Sequence, residues 1–490
     1  MGASSGRGVI GCCENGKLEI HEVTRFSNDP VYITDELCWD TPRHLFEIKR
    51  CIGQCAKNER IDCIGIDTWG VDFGLIDKYG CLMSLPVHYR DKRTLKIIDE
   101  VFSLIPRDEL YRESGIQHMN FNTIYQLYYL HKYRPDIIDA ADKMLLIPDL
   151  IAYFLTRSKY AELTNVSTTG LIDQSNHDWN YNLIEKLGFK RSLFPKIITP
   201  GSFYGELCDE VCRELECGKI PVAAACTHDT ASAVLSVPNK DENILYISSG
   251  TWSLMGTELD SPIMNESARK ANYTNEIGYG GNVRFLSNIM GLWLIQETRR
   301  QYIRDGEELS FAEMEKEALS SKPFACFIDV DSLEFASPGN MPERIRNYCN
   351  NTGQHIPKKR GEVIRCIYES LAMRYRENLA KLEKICSHSF ERINIVGGGI
   401  KDTLLCGMTA SACNRPVTAG PAEATVIGNI CTCLSALGEL GGISEIRDTV
   451  INSVKLKDYS PTDADLWDEN YEVFKKATKG ECEYERKTKQ

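Results

Sequence analysis

The sequence predicts an α/β fold divided into two domains, and two observations support this. The chain has 490 residues, which is more than one hydrophobic core usually serves. Apolar segments suited to buried strands end directly on polar or glycine-rich turns that begin helices, as at 221–235 and 392–402. We place the boundary at the polar turn 238–243, which predicts domains at 1–238 and 239–490.

The composition disfavours several classes of protein. Apolar residues make up 42% and charged residues 26%, as is usual for a globular chain, and the net charge of −12 disfavours nucleic acid or an anionic membrane surface as partner. No run is apolar enough to cross a bilayer and no secretion signal is legible, so we expect a cytoplasmic protein with no membrane partner. The 20 cysteines lack the paired spacing of zinc sites, so we expect reduced thiols. Cys349 and Cys366 could pair if oxidised.

The stretch 221–258 carries the strongest indication of chemistry. An apolar strand ends on Thr227, His228, Asp229 and Thr230, where a carboxylate can act as a base, although an aspartate there is more often a helix N-cap. The next strand, at 244–247, leads into a Ser-Ser-Gly-Thr turn rich in donors for phosphate, although such a sequence is more often only a turn. Together, a base and an anion cradle indicate phosphoryl transfer to an alcohol.

Two earlier stretches favour ligand binding less decisively. A Gly/Ser turn at 2–7 leads into a predicted hairpin with an Asn15-Gly16 turn, and it suits either an anion nest or a flexible tail. A predicted strand at 61–66 ends on a turn, 67–73, with two carboxylates, where ligand binding and a purely structural role are about equally favoured. The hydroxyl-rich segment 164–169 reads as a loop.

The second half adds one weak nucleotide signal and several core elements. A strand at 392–396 is followed by three glycines, which let a nucleotide approach the backbone, although any tight turn can use them. We predict an apolar helix that starts at 289–297, a long core helix over 363–382, and a small-residue helix near 421–429.

Missing motifs exclude three other classes of enzyme. The sequence has no Gly-x-x-x-x-Gly-Lys-[Ser/Thr] loop, so it is not a P-loop phosphotransferase. It lacks the His-Arg-Asp and glycine-rich loops of protein kinases, although Asp72 to Gly74 spell one of their triplets. A Gly-x-Gly-x-x-Gly after a strand is also missing, which disfavours a nicotinamide oxidoreductase.

Nine stretches, spread in order over nearly the whole chain, resemble the FGGY sugar-kinase family. They lie at 2–7, 65–73, 85–94, 121–127, 227–233, 246–255, 288–296, 395–399 and 420–429. Asp-Thr-Trp-Gly-Val-Asp-Phe and His-Asp-Thr-Ala-Ser-Ala resemble the branch that acts on L-rhamnulose. The resemblance implies two actin-like, ribonuclease-H-like domains with a catalytic cleft between them. It also implies ATP-dependent phosphorylation of L-rhamnulose at its first-carbon hydroxyl, a step of L-rhamnose catabolism, with Mg²⁺.

The resemblance also implies roles for individual residues, by matching positions. Asp229 would accept the proton of the sugar hydroxyl. The sugar would contact Gly70, His228, Asp229, Thr230 and Asn288. ATP would contact Ala3, Ser4, Ser5, Gly6, Arg7, Thr251, Gln296 and Gly398. The resemblance does not imply metal ligands.

One departure from the family pattern concerns the start of the sequence. Family members carry an apolar strand that ends in Asp before the Gly-Ala-Ser-Ser-Gly-Arg turn, whereas Met1 stands directly before the turn here. We therefore expect the first strand of the N-terminal domain to be missing from this sequence, and activity or stability to be reduced.

Two alternative functions stay open at this point. The first is a kinase of the same family for another ketose or polyol, such as fuculose, xylulose or glycerol. The second is a non-catalytic regulator that binds a sugar or nucleotide on the same fold, whereas a filament-forming ATPase of actin type is disfavoured. We expect a monomer or a small homo-oligomer.

Overall fold

A computed structural model describes residues 1–241 and 243–478. Its strands are β1 Ser5–Glu14, β2 Lys17–Ser27, β3 Val31–Ile33, β4 Glu36–Cys38, β5 Ile64–Gly65, β6 Phe73–Asp77, β7 Ala141–Leu146, β8 Tyr160–Glu162, β9 Ile172–Asp173, β10 Asp178–Trp179, β11 Lys196–Ile198, β12 Phe203–Glu206, β13 Pro221–Ala223, β14 Leu245–Ser249, β15 Trp252–Leu259, β16 Thr274–Ile277, β17 Val283–Met290, β18 Ile393–Val396, β19 Val417–Ala419 and β20 Lys457–Tyr459.

Its α-helices are α1 Thr41–Asn58, α2 Ile97–Leu104, α3 Arg107–Ser114, α4 Thr123–Tyr133, α5 Pro135–Ala140, α6 Ile147–Thr156, α7 Leu163–Val166, α8 Tyr181–Lys186, α9 Asp209–Leu215, α10 Asp229–Leu235, α11 Glu266–Lys270, α12 Trp293–Arg304, α13 Phe311–Leu319, α14 Met341–Asn351, α15 Arg360–Cys386, α16 Thr403–Cys413, α17 Ala424–Ala436, α18 Ile443–Ser453 and α19 Ala464–Thr478. Among the described residues, no helix combines the length and the apolarity needed to span a bilayer.

The chain forms two compact units, and both are discontinuous in sequence. The first unit contains Met1–Lys240, Glu258–Leu286 and Ala424–Val454, and the second contains the remaining described residues. The chain thus leaves the first unit near the predicted boundary and returns to it twice. The ranges 1–238 and 239–490 cut the chain once and stay a prediction for its domain limits. Within the second range, residues 242 and 479–490 lie outside the described residues.

In the first unit, the predicted N-terminal hairpin is confirmed. Strands β1 and β2 pair antiparallel from Ser5 opposite Ser27 to Glu14 opposite Lys17. Asn15 and Gly16 have φ of 51° and 72°, which are the left-handed values that a two-residue hairpin turn requires. Residues 5–14 are therefore a strand and not a flexible tail.

Two short parallel strands position the strongest motif. Strand β13 lies between β12 and β5, and Val222 and Ala223 pair parallel with Ile64 and Gly65. The strand predicted over 61–66 is therefore wrong in length, since only Ile64–Gly65 form regular pairs. Beyond these strands the chain segments stay adjacent, because Thr68 forms a parallel bridge with His228.

Close helix packing supports the same region. Helix α10, which begins at Asp229, packs against α17 from the last segment of the first unit. A Cβ added to Gly428 of α17 would stand 1.8 Å from the carbonyl oxygen of Ser232. Only glycine allows the two backbones to approach this closely, which explains the small residues predicted for this helix.

The second unit contains a sheet with strand order β15-β14-β18-β19-β20. Strands β14, β18 and β19 are parallel, while β15 and β20 run antiparallel to their neighbours. Because β14 and β18 are parallel, the turn after Ser249 and the glycines after Val396 lie at the same sheet edge. The long helix predicted over 363–382 is confirmed as α15, most of whose apolar side chains are buried. The helix start predicted at 289 is wrong, since β17 continues to Met290 and α12 begins at Trp293.

Candidate active site

The first half of the site lies in the first unit, where two chain segments leave adjacent strands. The Thr68 amide donates to the carbonyl oxygen of Thr227 at 2.8 Å, and the Asp229 amide donates to that of Thr68 at 2.8 Å. These bonds extend the pairing of β5 and β13 beyond the strands. They therefore hold the 227–230 motif beside the 67–73 turn, which carries Gly70.

Asp229 is the first residue of α10, but it does not cap that helix. The N-cap position belongs to His228, and no side-chain capping bond is made. The carboxylate of Asp229 instead accepts a hydrogen bond from the Thr230 hydroxyl at 3.2 Å and remains 30% exposed. Burial and the nearby Asp67 carboxylate raise the pKa of Asp229, although His228 opposes the shift. The aspartate is thus a reachable carboxylate with raised basicity.

His228 connects Asp229 to a buried ion pair. Its Nε2 lies 3.6 Å from Oδ1 of Asp229, and its Nδ1 lies 3.1 Å from Nη2 of Arg284 and 3.4 Å from Oε2 of Glu276. Arg284 Nη2 lies 3.1 Å from Glu276 Oε2, and the guanidinium also donates to the carbonyl oxygen of Ile277. Arg284 is fully buried and Glu276 nearly so. The Arg284–Glu276 ion pair therefore contacts the Nδ1 side of the imidazole, opposite the side that faces Asp229.

Glu162 anchors the start of the motif. Its carboxylate accepts from the amide and hydroxyl of Thr227, from the amide and hydroxyl of Thr164, and from the Asn165 amide. The Thr164 hydroxyl also accepts from the amide of His228. Burial raises the pKa of Glu162, against the opposing effect of these hydrogen bonds. One buried carboxylate therefore fixes the backbone directly before Asp229.

Gly70 stands beside a strained backbone position. Val71 has φ of 68°, a left-handed value that is unusual for a β-branched residue. The Thr168 hydroxyl accepts from the Val71 amide at 3.2 Å, and the Thr123 hydroxyl donates to the Val71 carbonyl oxygen at 2.7 Å. A Cβ at Gly70 would stand 2.9 Å from the Thr168 hydroxyl. The turn is thus held in one strained form, as often occurs at ligand sites.

The two carboxylates of the 67–73 turn differ in environment. Asp72 is buried and accepts from the indoles of Trp39 and Trp69, from the Tyr89 amide and from Gln126. Its oxygens are thereby occupied in holding the turn. Asp67 accepts from Asn429 at 2.6 Å and is 11% exposed. The sequence left open whether the 67–73 turn binds a ligand or is purely structural, and Asp72 has a structural role.

The five N-terminal residues predicted to bind ATP lie in the first unit, at the start of β1. The amide of Gly2 donates to the carbonyl oxygen of Ser5 at 2.9 Å, which closes a turn around Ala3 and Ser4. The Asn28 amide donates to the carbonyl oxygen of Ser4 and its side chain to that of Gly2. Gly6 and Arg7 follow in β1.

The remaining predicted ATP residues are brought together in the second unit. Thr251 lies in the turn after β14, and its carbonyl oxygen accepts from the amides of Gly291 and Trp293. Those bonds place the turn against the start of α12, whose first turns carry Gln296. A Cβ on Gly399 would collide with Ser249 at the end of β14, whereas a Cβ on Gly398 would meet no atom within 4 Å. Gly398 therefore presents open backbone beside the same turn.

Asn288, predicted to contact the sugar, belongs to the second unit. It lies on β17 and is half-buried. Its predicted role stays a prediction.

Sequence reasoning missed the residues that support the motif, namely Glu162, Glu276 and Arg284. Two weak signals were present. Glu276 and Arg284 are isolated charges within otherwise apolar or neutral strand segments, β16 and β17. Thr164 belonged to the hydroxyl-rich segment that reads as a loop, but Leu163–Val166 form the short helix α7, which Glu162 caps. Only the folded chain shows that these residues converge on 227–229.

The cysteines flagged for pairing belong to a group of three. The sulfur atoms of Cys326, Cys349 and Cys366 all lie within 4.8 Å of one another in the second unit, and all three side chains are buried. Their thiols are free. Hydrogen bonds from Cys326 and Cys366 lower the pKa of the Cys349 thiol. Among the described residues, this is the one group of three or more His, Cys, Asp or Glu side chains close enough together to hold a metal ion.

These arrangements supply complementary chemistry in the two units. In the first, an accessible carboxylate with a raised pKa stands beside an imidazole and hydroxyls, which suits proton removal from a bound alcohol. In the second, a hydroxyl-bearing turn and open glycine backbone suit phosphate and nucleotide.

Comparisons with known proteins agree with this chemistry. The model described as the FGGY family of carbohydrate kinases, N-terminal domain, matches residues 37–236, and the C-terminal domain model of the same family matches 245–437. A rhamnulokinase of Bacteroides thetaiotaomicron is 39% identical over 97% of each chain. A rhamnulokinase of Oceanobacillus iheyensis is 41% identical over 94% of this chain and 97% of its own.

Solved structures show the same fold. A xylulose kinase from Lactobacillus acidophilus superposes with a TM-score of 0.81 at 16% identity, over 99% of this chain and 98% of that one. Glycerol kinase from Plasmodium falciparum, solved with ADP, gives 0.78 at 14% identity over 97% and 96%. The chain belongs to the FGGY family of carbohydrate kinases.

Proposed function

We propose that the protein transfers the γ-phosphoryl group of ATP to the first-carbon hydroxyl of L-rhamnulose, which gives L-rhamnulose 1-phosphate and ADP. The observation that carries this proposal is the placement of Asp229, a partly exposed carboxylate of raised pKa at the start of α10. The choice of sugar follows the relatives, which are named rhamnulokinases and align with nearly the whole chain.

Asp229 has the role of general base in this proposal. A sugar hydroxyl is a weak nucleophile, and a carboxylate within hydrogen-bond reach takes its proton as the phosphoryl group arrives. His228, Thr230 and the strained Gly70 turn orient the ketose around that carboxylate.

In the second unit, ATP contacts the backbone and hydroxyl groups near β14. A Cβ placed on Gly398 would have no neighbouring atom within 4 Å, so a nucleotide can lie against the backbone of this residue. Thr251, in the turn after β14, and Gln296, on α12, offer polar side chains in the same unit. In the first unit, the 3–7 turn with Arg7 offers backbone donors and a positive charge suited to phosphate.

Magnesium is the proposed metal, bound mainly through the ATP phosphates. Mg²⁺ prefers oxygen ligands, which the ATP phosphates supply. When bound, it neutralises phosphate charge during transfer. We also propose that the protein is a monomer or a small homo-oligomer. We propose that it is cytoplasmic, and its free thiols are consistent with a reducing compartment.

Coupled ADP-release assays test the proposal. The wild-type chain is assayed with ATP, Mg²⁺ and L-rhamnulose, and with L-fuculose, xylulose and glycerol as competing substrates. We expect the highest kcat/KM for L-rhamnulose. Asp229→Asn should lower kcat about 10²- to 10⁴-fold, the usual contribution of a general base, while thermal stabilisation by the sugar persists.

Two results would contradict the proposal. A higher kcat/KM for another substrate would show that L-rhamnulose is not the preferred sugar, while the assignment as a kinase would stand. Ligand-induced stabilisation without ADP formation from any of the four substrates would favour the non-catalytic regulator.

A further inference from the structure

The buried pair of Arg284 and Glu276 lies behind His228 and has no assigned role in the reaction. Arg284 is 0% exposed and Glu276 is 6% exposed. Neither side chain can therefore reach a substrate in this conformation. Burying an ion pair in place of apolar residues is often neutral or costly for stability, so its presence next to a reactive carboxylate calls for a functional reason.

The contacts of Arg284 determine which nitrogen of His228 carries the proton. A guanidinium only donates hydrogen bonds, so the Nδ1 atom that lies 3.1 Å from Nη2 must present its lone pair. Glu276 lies 3.4 Å from the same nitrogen, beyond the normal N–H···O range, and 3.1 Å from the guanidinium. Glu276 thus holds Arg284, and Arg284 holds the ring. The single proton of the neutral imidazole is left on Nε2, the nitrogen that faces Asp229.

We propose that Arg284, held by Glu276, is a positioning residue that keeps the proton of His228 on Nε2, so that the ring donates a hydrogen bond to a sugar oxygen bound beside Asp229. With its proton on Nε2, His228 cannot take the proton of the substrate hydroxyl. Asp229 is then the only base that can do so. This inference rests on the proposed function, since it assigns a role within that reaction.

The decisive variant removes the pair without leaving a lone buried charge. In Glu276→Leu/Arg284→Met both charges are lost together, and apolar residues of similar volume often replace such pairs at little cost in stability. His228 can then adopt either tautomer. We expect kcat to fall about 10- to 100-fold, the effect of one lost hydrogen bond to a charged group, while KM for ATP stays within about threefold.

A matched control is the pair of Arg447 and Glu258, which is also mostly buried in the first unit. Glu258 pairs with Arg447 and accepts from Asn282, and these contacts involve neither His228 nor Asp229. Glu258→Leu/Arg447→Met should leave kcat within about twofold. A kcat loss of equal size in the control would overturn the proposal, because the effect would then follow from general destabilisation.

Two further variants decide the question if the double variant does not fold. In His228→Gln the side-chain amide reaches the Nε2 position and can donate there, whereas in His228→Asn it reaches only the Nδ1 position. We expect the glutamine variant to keep at least about tenfold more kcat than the asparagine variant. Equal losses, or a double variant that folds with wild-type kcat, would overturn the inference. Wild-type activity that Asp229→Asn leaves intact would instead defeat the proposed function itself.

Discussion

Replacing Glu162 by glutamine tests whether one carboxylate anchors the segment that carries Asp229. In the native structure Oε1 accepts from the Thr164 amide at 2.9 Å. The other oxygen, Oε2, accepts four hydrogen bonds, from the hydroxyl of Thr164, the amide of Asn165, and the amide and hydroxyl of Thr227. Every partner donates, so a side chain with an NH₂ group cannot satisfy all of them.

The geometry sets the expected cost of this change. The amide oxygen of the glutamine should take the Oε2 position, because four donors converge there. Its NH₂ group must then face the Thr164 amide, which loses its acceptor. One hydrogen bond to a charged group and one unsatisfied buried donor together cost about 2–4 kcal/mol, after allowing for the easier burial of a neutral amide.

Thermal unfolding measures this cost. For a unit of more than 250 residues, about 2 °C per kcal/mol gives a decrease in Tm of about 4–8 °C. We also expect kcat to fall by more than about tenfold, since Thr164 loses the acceptor of its amide and its hydroxyl accepts from the amide of His228. Glu206→Gln, at an exposed carboxylate of the same unit, should change Tm by about 1 °C or less. A Tm within 2 °C of wild type for Glu162→Gln would refute the reasoning, and would mean that Glu162 already carries a proton.

Two other predictions concern packing and pH. Gly428→Ala should lower the free energy of unfolding by about 2–3 kcal/mol in urea titrations, because its Cβ would overlap the Ser232 carbonyl oxygen, whereas Gly407→Ala, with 3.9 Å to its nearest neighbour, should add about 0.5–1 kcal/mol. Equal effects would contradict the packing argument. Burial raises the pKa of Asp72 to about 6, so its protonated form favours folding below about pH 4 and this contribution, about 3 kcal/mol, is lost as the pH rises to 6. Urea midpoints of wild type and Asp72→Asn should diverge over this window, and parallel curves would show that the carboxyl is not the cause.

Much of the local structure followed from the sequence alone. The Asn15-Gly16 hairpin, the core helix α15 and the passage from an apolar strand into a small-residue helix at Asp229 were all predicted, because each depends on the turn chemistry or periodicity of neighbouring residues. The motif at 227–230 was likewise visible as a strand end with a carboxylate. Its family resemblance supplied the expected roles of the residues.

The tertiary structure decided what surrounds that motif. Glu162 is 65 positions from Thr227, and Arg284 is 56 positions from His228, so no local pattern could connect them. The return of 258–286 and 424–454 to the first unit is equally non-local. Periodicity reports only on neighbours within a strand or helix, whereas burial of a charge and the identity of its partner depend on chain segments that meet after folding. Sequence therefore singled out Asp229 as the candidate base, and the fold determined the hydrogen bonds and charges around it.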